Sequence, residues 1–131
     1  MAVIIIPPGL KPRPSERERE IASLIAAHFG SPVEFLVPRN SYKQKTPDVI
    51  VKGLLWEVKA PVGSSLRSTV KKQLKLGLKQ SENIIISGLY IKISDDVVIK
   101  QLRRELIGHK KARRIIYITK QNEIIQVLFK N

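Results

Sequence analysis

Residues 48–59 read Asp48-Val49-Ile50-Val51-Lys52-Gly53-Leu54-Leu55-Trp56-Glu57-Val58-Lys59. Two β-type runs, Asp48–Val51 and Leu54–Lys59, flank Lys52-Gly53, which marks a hairpin although Lys is not the favoured first turn residue. With the turn centred there, Val51 faces Leu54, Ile50 faces Leu55, Val49 faces Trp56, and Asp48 faces Glu57. A two-residue or a four-residue loop gives the same register. Side chains alternate faces along a strand, so Val49, Val51, Leu54, Trp56 and Val58 share one apolar face, the core side. The opposite face carries Asp48, Glu57 and Lys59, with Ile50 and Leu55 nearer the turn.

Directly opposed carboxylates have Cβ atoms about 4.5–5.5 Å apart, and like charges there destabilise a sheet. A divalent cation offsets that repulsion, because hard cations take oxygen ligands and Mg²⁺ uses one or two carboxylates alongside substrate phosphate. Lys59 lies one pleat from Glu57, within reach of a water or a developing oxyanion. Phosphodiester hydrolysis needs this set of groups. The competing reading makes Asp48 a strand start after Pro47 and leaves Glu57 and Lys59 on a solvated face. The register and the scarcity of acids in a basic chain favour chemistry.

Working outward, Val33–Val37 predicts a strand and Pro38–Pro47 a polar loop. Upstream, Ser15 and Glu18 form a capping-box pattern, Ile21, Leu24, Ile25 and His28 repeat at helical spacing, and Gly30 ends that helix. Residues 1–14 hold four prolines and read as an irregular arm, with an edge strand at Val3–Ile6. Downstream come a second helix about Leu66–Ser81, a strand at Asn83–Ser87 and a third helix from Ser94 to near Gly108. Strands at Ile115–Thr119 and Glu123–Phe129 close the chain. The order of elements predicts one α/β domain over 15–131, a mixed central sheet flanked by helices.

The chain has 131 residues, with 24 Lys+Arg against 11 Asp+Glu and no cysteine, a length that suits one domain. The lack of cysteine excludes a disulfide scaffold and Cys-ligated zinc, and His28 and His109 alone exclude a multi-His cage. The longest apolar run, Ala2–Ile6, is too short for a membrane span, and no basic segment precedes it as in a signal peptide. A net charge of +13 points to a polyanionic partner.

Thr46-Pro47-Asp48 followed by Trp56-Glu57-Val58-Lys59 resembles the PD-(D/E)xK phosphodiesterases, the restriction-endonuclease-like superfamily. A narrower likeness spans most of residues 18–129. It includes Glu20-Ile21-Ala22 through Phe29-Gly30, then Phe35-Leu36-Val37-Pro38-Arg39, then Gln73 on the second helix. It continues through Lys79-Gln80-Ser81-Glu82-Asn83-Ile84-Ile85-Ile86 and Arg114-Ile115-Ile116-Tyr117-Ile118-Thr119. These stretches resemble the C-terminal nuclease domain of contact-dependent growth inhibition toxins of the CdiA type, with related modules at the C-termini of phage minor head proteins. The resemblance implies a restriction-endonuclease-like core and a tRNA-cleaving nuclease that acts in the cytoplasm of a target bacterium. A cognate immunity protein holds such toxins inactive. It also implies that Asp48 and Glu57 bind Mg²⁺ or Mn²⁺, in preference to Zn²⁺, with Lys59 positioning the attacking water.

The superfamily often recruits an acid from the first helix, where Glu16, Glu18 and Glu20 are available. Glu18 belongs to the capping box and Glu16 to the first turn, which leaves Glu20, at the family's helical-acid position, as the choice. On the second helix Arg67, Lys71, Lys72, Lys75 and Lys79 flank the stripe Val70, Leu74 and Leu78, a candidate track for a phosphate backbone. Gln73 is a candidate to orient Lys59 or a phosphate, and a buried amide capping a strand end accounts for it equally. Arg103, Arg104, Lys110, Lys111, Arg113 and Arg114 form a second basic cluster, open to nucleic acid or to an acidic immunity protein. Trp56 is expected in the core and Tyr42 is the better stacking candidate. Rival readings are a DNA endonuclease of the same fold, a non-catalytic nucleic-acid-binding or phage-assembly module, and a ribosomal-type basic protein.

Overall fold

The structure is a computed structural model and describes residues 2–10, 13–37 and 48–130. The polar loop and Tyr42 lie outside the described residues, as do Thr46 and Pro47 of the motif. Among the described residues the strands are β1 (Ile4–Ile5), β2 (Val33–Phe35), β3 (Val49–Val51), β4 (Leu54–Lys59), β5 (Asn83–Ser87), β6 (Arg114–Ile118) and β7 (Ile124–Phe129). They form one mixed sheet in the order β1-β2-β3-β4-β5-β6-β7. β1 runs parallel to β2, β4, β5 and β6 are mutually parallel, and the other neighbours pair antiparallel.

The hairpin has the expected register, Val49 opposite Trp56, Ile50 opposite Leu55 and Val51 opposite Leu54. Its turn is closed by Lys52 at φ 51° and Gly53 at φ 76°. Positive φ at both central residues is the combination whose twist matches that of the strands. Lys52 holds it at a cost that the glycine beside it avoids.

Helix α1 (Glu16–Phe29) begins in the expected capping box, the Glu18 N–H donating to Ser15 Oγ at 3.1 Å and the Ser15 N–H to Glu18 Oε1 at 3.0 Å. Its stripe Ile21, Ala22, Ile25 and Ala26 packs on Val33, Phe35, Val49, Val51, Trp56, Ile85, Ile116 and Ile118, one face of the sheet. Leu10 joins this core, so the N-terminal arm is tied to the domain. The second helix opens in wide π-helical turns over Leu66–Lys71, with Ser65 Oγ accepting the Ser68 N–H, and continues as α2 (Lys72–Leu78). It stops three residues before the expected Ser81, because Ser81 Oγ and Asn83 Nδ2 each donate to the Leu55 carbonyl at 3.0 Å and draw the chain into β5. Val70, Leu74 and Leu78 pack with Val98 and Leu102 of α3 (Asp95–Leu106) on the other sheet face, against Ile84, Ile86, Ile115 and Tyr117. Ser94 stands at the start of α3, but its side chain makes no capping bond.

Gly88 follows β5 where a Cβ would overlap the phenol of Tyr117. Tyr117 is fully buried, and its hydroxyl donates to Asp95 Oδ1 at 2.7 Å, so the ring has nowhere to move. Gly88→Ala is expected to destabilise the fold by about 1–3 kcal/mol, read as a lower midpoint in urea.

Candidate active site

The parallel strands β4, β5 and β6 end at one edge of the sheet, and β3, antiparallel to β4, begins there. Ligands bind at the carboxyl ends of parallel strands because successive connections leave a crevice there. Here that edge receives Asp48 from the entry to β3 and Glu57 and Lys59 from the end of β4. Asp48 is locked by the backbone: its N–H donates to the Trp56 carbonyl at 3.0 Å, and its Oδ2 accepts the Val58 N–H at 2.8 Å. Its carboxyl group is near enough to the Glu57 carboxyl to disfavour a second negative charge there. Lys59 Nζ lies 3.3 Å from Glu57 Oε2. The register thus gathers the three groups that the sequence singles out.

Glu57 is 3% exposed, and its Oε1 has no partner among the described residues. Burial, reinforced by the Asp48 carboxyl beside it and only partly offset by Lys59, pushes its pKa up to about 8. At neutral pH Glu57 therefore keeps its proton, because burial first and the neighbouring Asp48 carboxyl second disfavour its charged form. A divalent cation does the same electrostatic job with more charge. Two carboxylates at one edge, one of them with a buried oxygen lone pair unused, fit a hard oxygen-seeking ion. Among the described residues no group of three or more His, Asp or Glu is gathered to hold a metal, so the protein's share of such a site is this pair.

Glu20 stands on a different element. It is exposed on α1, and α1 packs on the sheet face opposite to the one that carries Glu57 and Lys59. The start of α1 does reach the same edge, since the Arg17 guanidinium sits 3.9 Å over the Tyr90 ring just beyond β5. Glu16 is exposed and Glu18 is held by the capping box. Gln73 is half-buried, and no hydrogen bond joins it to Lys59. Arg67, Lys71, Lys72, Lys75 and Lys79 are all exposed while Val70, Leu74 and Leu78 are buried, so the flanking arrangement holds.

In the second basic cluster several members are engaged. Lys111 Nζ donates to the Leu78 carbonyl at 2.7 Å, closing the end of α2, and Arg114 Nη1 donates to Asn83 Oδ1 at 3.2 Å. Arg113 pairs with Glu82 at 3.9 Å, and Arg103, Arg104 and Lys110 are exposed. His28 stacks edge-on against Phe29 at 4.9 Å, and His109 sits in a turn, far apart in sequence and in different contexts.

One constellation at this edge has no counterpart in the sequence reading. Asp95 accepts the Tyr117 hydroxyl, and Lys120 Nζ lies 3.5 Å from Asp95 Oδ1 while donating to the Gly88 and Ile93 carbonyls at 3.1 and 2.7 Å. Burial first, then Asp95, holds the Tyr117 phenol well above its usual range, so it stays a donor. The trio ties residues 88–95 to the end of β6. An acid at a helix start reads as a dipole partner, and nothing in the spacing points to Tyr117 or Lys120.

The family profile of contact-dependent growth inhibition CdiA C-terminal domains matches residues 45–124. No match was found among curated protein sequences. Among solved structures, the CdiA-CT/CdiI toxin and immunity complex from Burkholderia pseudomallei contains a chain of similar fold. The TM-score is 0.58 at 17% identity, over 96% of this chain and 98% of that one. Its likeness is one of fold, and it extends across strands that the family profile does not reach. The match over the Asp48–Lys59 hairpin and on through β6 decides the family: the chain belongs to the CdiA C-terminal domains of contact-dependent growth inhibition.

Proposed function

We propose that this domain is a metal-dependent endonuclease of the PD-(D/E)xK kind, the toxin part of a growth-inhibition system, with RNA and above all tRNA as its substrate. The observation that carries the reading is Glu57, buried with an unused carboxylate oxygen between Asp48 and Lys59 at the strand-end edge. Asp48 and Glu57 are the residues that would hold Mg²⁺ or Mn²⁺. When bound, such an ion polarises a phosphate and makes water a nucleophile near neutral pH. Asp48 is kept in place by the Val58 N–H. Lys59, with 18% of its side chain exposed, orients the incoming water and offsets the charge that builds on the phosphate. The choice of tRNA rests on the family resemblance, as do action in the cytoplasm of a target cell and an immunity-protein partner.

The test is incubation of the purified chain with total tRNA and with plasmid DNA, each in Mg²⁺, in Mn²⁺ and in EDTA, with Asp48→Asn as control. Discrete tRNA fragments that vanish in EDTA and in the variant support the reading. Nicked plasmid with intact tRNA replaces it by a DNA nuclease. Binding without cleavage of either replaces it by a non-catalytic module.

Two further outcomes follow from the same reading. Lys59→Gln lowers single-turnover cleavage about a hundredfold while leaving the apparent metal affinity within about threefold; an unchanged rate removes Lys59 from the mechanism. Replacing Lys71, Lys72 and Lys75 together by Gln weakens substrate binding and flattens the log–log salt dependence by roughly 2, since each phosphate contact contributes about 0.7–0.9. An unaltered slope means that the substrate does not run along the second helix.

A further inference from the structure

One helix, α1, covers its face of the sheet, whereas two share the other. Where α1 ends, at the sheet edge opposite Lys59, a cleft of about 430 Å³ is lined chiefly by Phe29, Lys52, Trp56, Arg114, Gln126 and Phe129. That volume lies within the usual span of small-ligand pockets, about 300–1,000 Å³. Its chemistry is specific. Three aromatic side chains contribute, with Phe29 and Trp56 centroids 5.9 Å apart. Two cations contribute and no acid does; the Arg114 guanidinium sits 5.6 Å over the Phe129 ring. Trp56 is 1% exposed, and its Nε1–H has no acceptor among the described residues.

Lys52 adds a second argument. It holds φ 51° in the hairpin turn, where Asn, Asp or Gly is preferred, and its side chain lines the cleft. A long cation is kept at a position where the backbone favours a short residue. An apolar ligand has no use for two cations, and a simple anion has no use for three aromatic rings. A flat heteroaromatic group that accepts hydrogen bonds and carries negative charge uses all of them, with the Gln126 amide available to its edge.

We propose that this cleft binds a nucleotide, its base against Phe29 and Phe129 over the buried Trp56 and its phosphate on Lys52 and Arg114. As an unpaired residue of the strand being cleaved, a placement that rests on the nuclease reading, it lies several nucleotides from the scissile bond. Leu54 and Lys59 are separated by five residues of strand, roughly 17 Å.

Trp56 is the chain's one tryptophan and lies under this cleft, so its fluorescence is a probe of ligand binding there. The protein in EDTA is titrated with each of the four ribonucleoside 5′-monophosphates, with an unstructured oligoribonucleotide and with inorganic phosphate. A saturable change with the nucleotide and the oligonucleotide, absent with phosphate and about tenfold weaker in Phe129→Ala and in Lys52→Asn, is expected. Lys52→Asn also melts higher than the parent, because Asn suits the turn, so its loss of binding is not a loss of fold. A response to phosphate alone overturns the proposal in favour of a general anion site. No response to any ligand while tRNA is still cleaved overturns it and leaves the nuclease standing. Saturable binding with no cleavage of any nucleic acid keeps the nucleotide site and withdraws its link to cleavage.

Discussion

Glu57→Gln is expected to abolish cleavage and, in metal-free alkaline buffer, to raise the melting temperature. The amide keeps the volume of the buried side chain and is neutral at every pH, so it avoids the charge that burial disfavours in the parent. It cannot supply the anionic oxygen that a divalent ion requires. Charge stabilisation by such an ion is worth several kcal/mol, so a loss of about a thousandfold in single-turnover rate is expected. Asp48→Asn should lose activity to the same degree. Asp48→Ala is the poorer control. Relief of carboxylate repulsion alone would let it spare or improve stability, but Asp48 Oδ2 accepts the part-buried Val58 N–H, and Ala leaves that donor without its partner, at about 1–3 kcal/mol. Full activity in Glu57→Gln at saturating Mg²⁺ would remove the acid pair from the chemistry.

The second large effect is on stability against pH. Glutamate titrates at 4.5 in its ordinary setting and at about 8 in this fold, chiefly through burial. Between those values the folded protein keeps a proton that the unfolded chain has released, so folding is favoured by protonation. The contribution is fully present below about 4.5, declines as the pH rises through the window to about 8, and is flat beyond. At about 1.4 kcal/mol per pH unit, Glu57 accounts for roughly 3–5 kcal/mol over that range. Urea midpoints of the metal-free protein from pH 5 to pH 9 should fall accordingly. Glu57→Gln should remove most of that slope, and Mg²⁺ or Mn²⁺ should flatten it in the parent by taking the proton's place. A parent and a Glu57→Gln variant with equal slopes would show that the carboxyl ionises normally in the fold.

Much of this architecture was legible because the signals were local. Ser15 with Glu18, and the period-two alternation around Lys52-Gly53, each fix geometry within a few residues, and the register then brings Asp48 to Glu57. The isoleucine-rich run Asn83–Ser87 could only be a buried strand, and it has those bounds. Misjudged boundaries trace to distant partners. The second helix stops early because Ser81 and Asn83 bond to Leu55, more than twenty positions back along the chain, which no helical period records. The placement of Glu20 is a similar case: its helical position was readable, but the face of the sheet that α1 covers depends on the whole topology. Trp56 was correctly placed in the core, yet its unpaired N–H and the cleft beside it belong to five separate segments.

The sequential order of the strands bears on how the domain responds to force. Each strand's sheet neighbours are the ones before and after it along the chain, and β7 sits at the edge, joined antiparallel to β6. Tension applied at the C-terminal end therefore loads the β6–β7 hydrogen bonds one after another, as in unzipping, rather than shearing them together. Once β7 has left, β6 becomes the new edge and meets the load in its turn. Parallel pairing of β1 with β2 makes the other edge different, since pulling there slides two co-directed strands past each other. The same sheet thus meets traction differently at its two edges, by unzipping at β7 and by sliding at the two-residue β1.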